Sequence, residues 1–200
     1  MNNLRPDLQT ICEWINPGTR ILDLGCGDGT LLEMLKTERN VNGYGLEIDI
    51  DNIVKCIAAG VNVIQTDLNA GLSDFDANSF DYVVMTQALQ AVERPDRLLN
   101  EMLRVGREGI VTFPNFGHYR ARTQLFFGGH MPMTPTLPSQ WYNTQNIHLC
   151  TLTDFENLCA ENDIHVLQRT VVDHNHRSSL GMKLFPNLLG EIAIYRFKRK

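Results

Sequence analysis

The first hundred residues alternate short apolar runs with stretches whose apolar positions recur every three or four residues. Leu8, Ile11, Cys12 and Ile15 follow the helical spacing, and Asn16-Pro17-Gly18 is a stop signal. Residues 20–24 form a short apolar run that predicts a strand, residues 30–36 a crossover helix, and residues 41–47 a second strand. Asp49 or Asp51 is placed to cap a helix through residues 53–59, with Gly60 at its left-handed end. Residues 61–65, 80–85 and 109–113 predict three more strands. Apart from Asp81, the run from Phe80 to Met85 is apolar throughout, as in a strand covered on both faces. Pro95 suits a first helical turn ahead of Leu98, Leu99, Met102 and Leu103. Strands alternating with helices predict an α/β fold around a mostly parallel sheet.

The rhythm changes after Pro114. Residues 114–150 are rich in aromatics and hold prolines at 114, 132, 135 and 138, which predicts a long connection of the kind that serves as a lid. A helix over residues 154–162 follows, then strands over 164–172 and 191–197 as a terminal antiparallel pair. Residues 174–189 read as an irregular excursion, and the neighbours His174, His176 and Arg177 within it as a polar loop. No internal repeat interrupts the pattern. Residues 1–200 read as one domain with an aromatic and proline-rich insertion at about 114–150.

Composition narrows the function classes. A formal net charge of −5 argues against nucleic acid as a main partner, because duplex binding needs a basic face. Arg104, Arg107, Arg120, Arg122 and the Lys198-Arg199-Lys200 tail are local basic clusters, and the tail reads as solvated surface. No apolar run approaches a membrane span, and Met1 to Pro6 lack an apolar signal core, so a cytoplasmic location is expected. Five cysteines, an odd number without a C-x-x-C pair, predict small buried hydrophobes in a reducing compartment and no metal site.

The strongest chemical signal is Ile21-Leu22-Asp23-Leu24-Gly25-Cys26-Gly27-Asp28-Gly29-Thr30, a glycine-rich loop between a predicted strand and a predicted helix. Its spacing is G-x-G-x-G, whereas the dinucleotide fingerprint is G-x-G-x-x-G. Asp23 and Asp28 flank the glycines; carboxylates there repel a pyrophosphate and suit a ligand with an ammonium and a sulfonium. S-adenosylmethionine (SAM) has both groups, and its product S-adenosylhomocysteine keeps the ammonium. Glu47 ends the second strand and is placed for two ribose hydroxyls, with Ile48 beside it. Asp67 and Leu68 follow the third strand, where they suit an adenine, and Gln87 follows the fourth. Against this stand plainer roles: Asp28 as a helix cap, Asp67 as a turn residue, Glu47 as a solvated acid. The four elements in order favour SAM over NAD.

Residues 20–47 resemble the SAM-binding region of class I methyltransferases. The matching fold is Rossmann-like: a mostly parallel seven-stranded sheet with an antiparallel C-terminal strand and helices on both faces. Later segments are more specific: Phe113-Pro114-Asn115-Phe116-Gly117-His118-Tyr119-Arg120, Gly129-His130-Met131-Pro132-Met133-Thr134 and Trp141-Tyr142-Asn143-Thr144-Gln145-Asn146-Ile147-His148. Together they resemble the MetW family of methionine-biosynthesis proteins over nearly the whole chain. Tyr119 stands where the family motif typically has Trp, and His130 where Arg is expected. The resemblance implies a bacterial cytoplasmic protein working with homoserine O-acyltransferase, without fixing a reaction of its own.

Methyl transfer needs alignment and, for some acceptors, a general base. The candidates are His118, His148 and Tyr119; His118, following the fifth strand, is placed to overhang a cofactor. The aromatic segment reads either as a lid lined by Phe116, Tyr119, Trp141 and Tyr142 or as a docking surface for a protein, with Leu125 and Phe126 expected in the core. Three functions follow: a SAM-binding accessory to the acyltransferase, a methyltransferase on a small metabolite, or a scaffold that has lost its ligand.

Overall fold

The computed structural model describes residues 6–200 apart from His176. Residues 1–5, which fall in the stretch read above as lacking a signal core, and His176 lie outside the described residues. The first half runs α1 (Pro6–Trp14), β1 (Arg20–Leu24), α2 (Thr30–Arg39), β2 (Asn42–Glu47), α3 (Ile50–Ala58) and β3 (Asn62–Gln65). Then come β4 (Phe80–Thr86), α4 (Pro95–Val105), β5 (Gly106–Pro114), α5 (Tyr119–Gly128), α6 (Leu152–Glu161) and β6 (Ile164–Val172). Two short helices, α7 (Leu180–Leu184) and α8 (Pro186–Leu189), precede β7 (Ile192–Arg199).

One seven-stranded sheet has the order β3-β2-β1-β4-β5-β7-β6. β1 to β5 pair in parallel, while β7 runs antiparallel to both β5 and β6. This is the Rossmann-like methyltransferase fold that the sequence pattern predicts. Alternation along the central strands splits the core into two layers. Leu22, Leu24, Val83 and Met85 pack with Leu99 and Met102 of α4 and Phe155 of α6. Ile21, Tyr82, Val84 and Ile110 pack with Ile11 and Ile15 of α1 and Leu31 and Leu35 of α2. The strand order reverses between β1 and β4, which is where open α/β sheets bind ligands, beyond the carboxyl ends of the strands.

Three expectations need correction. Residues 114–150 are not one long connection, because they contain the ten-residue helix α5. Its sequence hides it: only Ala121 is buried, so no apolar stripe marks the helix. Leu125 and Phe126 are not core; they are 46% and 82% exposed. Phe126 lies five positions beyond Ala121, and helical geometry turns it away from the buried face. Finally, the excursion between β6 and β7 holds α7 and α8, too short to show a period in sequence. No helix among the described residues is long and apolar enough to cross a membrane.

Candidate functional site

The loop after β1 is wound tightly against the end of β2. Gly25, Gly27 and Gly29 all take positive φ, at 68°, 56° and 82°. The Gly25 and Cys26 amides both donate to the Leu46 carbonyl, at 2.8 and 3.1 Å. A β-carbon on Gly25 would stand 3.2 Å from the Ala88 β-carbon, so the segment after β4 lies against this loop and requires glycine there. Gly45 makes the matching space from below: a β-carbon there would collide with the Cys26 sulfur.

Glu47 ties the ensemble together. One carboxylate oxygen accepts from the Gly27 amide at 2.8 Å, and the other from the Ile48 and Asp49 amides at 2.8 and 3.0 Å. A carboxylate offers about four lone-pair positions, so acceptor capacity remains after these three bonds. Asp23 is the opposite case. It is 1% exposed, and neither of its carboxylate oxygens has a hydrogen-bond partner. Burial, reinforced by the charge on Glu47, raises its pKa to about 7. Two carboxylates thus converge where β1 and β2 end, one held by three amides and one unpartnered.

The other predicted residues take these places. Asp28 is exposed and accepts from the Thr30 amide and hydroxyl at 3.1 and 2.7 Å, a local turn contact one residue before the α2 N-cap, which is Gly29 and not Asp28. Its pKa is lowered, chiefly by the Thr30 hydroxyl. Ile48 is exposed beside Glu47. Asp67 follows β3 and accepts from the Asn69 amide at 2.9 Å, opening a single 3-10 turn that begins with Leu68. Gln87, also exposed, has φ of 55°, a left-handed conformation costly for a side chain of its size. Its amide is held by the Thr112 carbonyl and hydroxyl at 2.9 and 3.0 Å. The glycine loop, Glu47, Asp67, Leu68 and Gln87 therefore share the carboxyl edge of the sheet.

The candidate bases are more scattered. His118 is buried at the start of α5 and its Nδ1 accepts the Arg120 amide at 3.4 Å, so it caps the helix. Desolvation lowers its pKa. Tyr119 is exposed and packs on the His118 ring at 4.5 Å between centroids. His148 lies in a separate place, with its Nε2 3.1 Å from the Glu93 carbonyl. It lines a cavity of about 410 Å³ with Leu89, Gln90, Cys150, Phe155 and Leu158.

Three sets of contacts lie beyond sequence reasoning, although Asn115 and Cys26 stand in segments that it singles out and Cys26 and Cys56 are buried as expected. Asn115 is buried and clamps two connections: its side-chain amide donates to the Asn187 and Gly190 carbonyls at 3.0 and 2.8 Å, and its oxygen accepts from Gly117. Its sequence signals are its place directly after the fifth strand and within the family-like segment from Phe113 to Arg120. Glu191, buried at the foot of β7, holds His174 at 3.1 Å and faces Arg120 at 3.8 Å. Cys26 and Cys56 stand 3.8 Å apart as free thiols, both with raised pKa through burial.

Known proteins can be set beside this geometry. The bifunctional methionine biosynthesis protein MetXA/MetW of Rhodopirellula baltica is 34% identical over 206 residues, 98% of this chain and 33% of that one. The chain thus spans about a third of that relative's length. Among solved structures, an S-adenosylmethionine-dependent methyltransferase from Mesorhizobium loti superposes with a TM-score of 0.70 at 18% identity, covering 97% of this chain and 96% of that one. A phosphoethanolamine N-methyltransferase of Haemonchus contortus in complex with S-adenosyl-L-methionine gives 0.68 at 15% identity, covering 100% and 55%. These structural likenesses bear on the fold alone. The family model described as methionine biosynthesis protein MetW matches residues 5–197, and the chain belongs to that family.

Proposed function

We propose that this chain binds SAM at the carboxyl edge of its sheet and acts with homoserine O-acyltransferase as an accessory or regulatory subunit in methionine biosynthesis. The observation that carries the binding half is the unpartnered, buried Asp23 beside Glu47. A buried carboxylate without a partner is costly, and a cationic group answers it where a pyrophosphate would not. In this reading Asp23 draws the ammonium end of the ligand and Glu47 uses its remaining lone pair on the ribose. Ile48, Asp67 and Leu68 border the adenine. Gly25 and Gly27 let the backbone approach the ligand, and Gln87 flanks it from β4. Bound SAM would supply a methyl group activated on a sulfonium.

The partnership half is supported by the Rhodopirellula baltica relative, whose name joins MetXA and MetW in one polypeptide. SAM lies downstream of methionine, so a SAM site on an accessory subunit would report the state of the pathway. The test is the rate of homoserine acylation by the acyltransferase, with and without this chain, while SAM is titrated into both. The reading expects a rate that depends on this chain and shifts with SAM. A rate indifferent to the chain at every SAM level refutes it.

A second reading, methyl transfer to a small metabolite, draws on the cavity of about 410 Å³ reached from Leu89 and Gln90. Gln90 is buried there with its carbonyl oxygen unpartnered. That reading expects S-adenosylhomocysteine to accumulate with the right acceptor and to vanish in Glu47→Ala. SAM bound without turnover over a broad acceptor panel counts against it.

A further inference from the structure

The charges of this chain are not spread evenly. All 23 Asp and Glu residues lie outside two segments, residues 109–153 and 174–190. Those two segments contain Arg120, Arg122, Arg177 and Lys183 and no acid, in a chain of net charge −5. The fold brings them together. Asn115 bonds to Asn187 and Gly190, the Asn187 side chain accepts from the Leu152 amide at 3.3 Å, and it donates to the Thr153 hydroxyl at 3.0 Å. α5 itself thus carries Arg120 and Arg122 and no acid, with Arg120 facing Glu191 at the foot of β7 at 3.8 Å.

The same helix carries, beside Arg122, the most exposed aromatic pair among the described residues. Phe126 and Phe127 are each 82% exposed, with ring centroids 4.9 Å apart in an edge-to-face arrangement. Gln124 fixes the strap that follows: its side chain exchanges two hydrogen bonds with Met133, at 2.9 and 3.0 Å. This keeps Met133, itself half exposed, beside the helix. An aromatic side chain presents roughly 150–250 Å². The two rings with Leu125 and Met133 thus form an apolar patch on the order of 400–500 Å², the size at which a surface patch marks an interaction site. It would fill the apolar centre of a standard interface of about 800 Å² per partner.

We propose that this basic, aromatic face of α5 is the surface on which the acyltransferase unit docks, through an acidic face bearing an apolar pocket. The proposal rests on the acyltransferase reading above. Two observations select this occupant over others. The curated relative carries this unit and a MetXA unit in one polypeptide, so the two are held at high local concentration there. A second copy of this chain would set basic face against basic face, which costs association. A lid role fits the rings poorly, since they lie about 10–12 Å along α5 from its first residue at the sheet edge.

The experiment measures binding of the full chain to the purified acyltransferase of the same organism by calorimetry at two salt concentrations, for wild type, Phe126→Asp/Phe127→Asp and Ile57→Asp. Ile57 is 65% exposed on α3, outside both segments, and controls for a surface aspartate as such. Wild type should bind, more weakly at high salt. The double variant should lose about 100-fold or more in affinity while keeping its thermal melt and its SAM affinity, and Ile57→Asp should match wild type. A folded double variant that binds normally overturns the docking face while leaving the partnership intact. Absence of any wild-type complex overturns both. Sedimentation showing a dimer of this chain that the double variant abolishes assigns the face to self-association instead.

Discussion

Replacing Asp23 with asparagine separates the cost of the buried carboxylate from its use. The Asp23 pKa is about 7 in the fold against 3.8 for an ordinary aspartate, a difference of about 3 pH units. At 1.36 kcal/mol per unit this is ~4 kcal/mol of differential stability. The sign follows from proton counts. Below about pH 4 both folded and unfolded chains hold the proton, and the contribution of Asp23 to stability is fully present. Between about 4 and 7 the unfolded chain releases it while the folded chain keeps it, so stability falls as pH rises. Above about 7 the loss is complete. The carboxamide of the variant never ionises, so Asp23→Asn should gain on wild type by up to ~4 kcal/mol between pH 4 and pH 8. Constant differences between the side chains cancel in that comparison. The assay is urea unfolding at one-unit pH steps for both proteins. A saturating cationic ligand should flatten the wild-type dependence, because it stabilises the ionised form in the fold. SAM affinity of the variant should drop by roughly 10- to 100-fold, the worth of a charge-assisted bond. Parallel stability curves for the two proteins would refute the placement of a high-pKa carboxylate here, whatever SAM does.

Other residues give sharper single readouts. Gly25→Ala forces a side chain into positive φ and against Ala88; it should cost about 1–3 kcal/mol in urea unfolding and abolish SAM binding in calorimetry. Asn115→Ala removes three hydrogen bonds and strands the Asn187 and Gly190 carbonyls; a loss of ~2–4 kcal/mol is expected, with faster amide exchange across residues 180–190. Tyr195→Phe removes a buried hydroxyl that donates to Glu156 at 2.8 Å and should cost ~1–2 kcal/mol in the same unfolding assay. Cys26, Cys56 and Cys159 are buried with raised pKa, so a thiol reagent at pH 8 should label them only on unfolding; rapid labelling of the native protein would contradict that burial.

What the sequence reveals divides along physical lines. β1 and β4 are covered by helices on both faces, so most of their buried residues are apolar, as Tyr82 to Met85 show, and the buried Asp23 stands out against them. The glycine loop is legible because its backbone has no alternative: three positive φ values in five residues demand Gly25, Gly27 and Gly29. α5 is not legible, because a helix that buries only Ala121 has no reason to repeat apolar residues at helical spacing. Leu125 and Phe126 mislead for a related reason. An apolar pair reads as core unless one knows which way the helix turns it, and that direction is set by the Asn115 clamp and the His118 cap rather than by the pair itself.

The site divides in the same way. Sequence names Asp23 and Glu47 as acids at strand ends, but their roles differ through hydrogen bonds that only the fold supplies. Glu47 is satisfied by the Gly27, Ile48 and Asp49 amides and would stabilise the loop with no ligand at all. Asp23 has no such structural return and weakens the fold above neutral pH. A protein that has lost its ligand gains stability above neutral pH by replacing such an ionisable residue with one that carries no charge. The retained, unpartnered Asp23 therefore favours a working ligand site over a relic scaffold. It also couples site and fold: a ligand that answers Asp23 stabilises the carboxyl edge, where β5 leads into α5 and its aromatic face. Occupancy at the glycine loop then has a physical route to the proposed docking surface, through the Ala88 contact, the Gln87 amide bonds to Thr112, and β5 itself. If SAM alters partner affinity, Thr112→Val, which removes the hydroxyl that accepts from the Gln87 amide, should weaken the SAM effect more than partner binding measured without SAM. Equal loss in both would mean the two sites share stability but no signal.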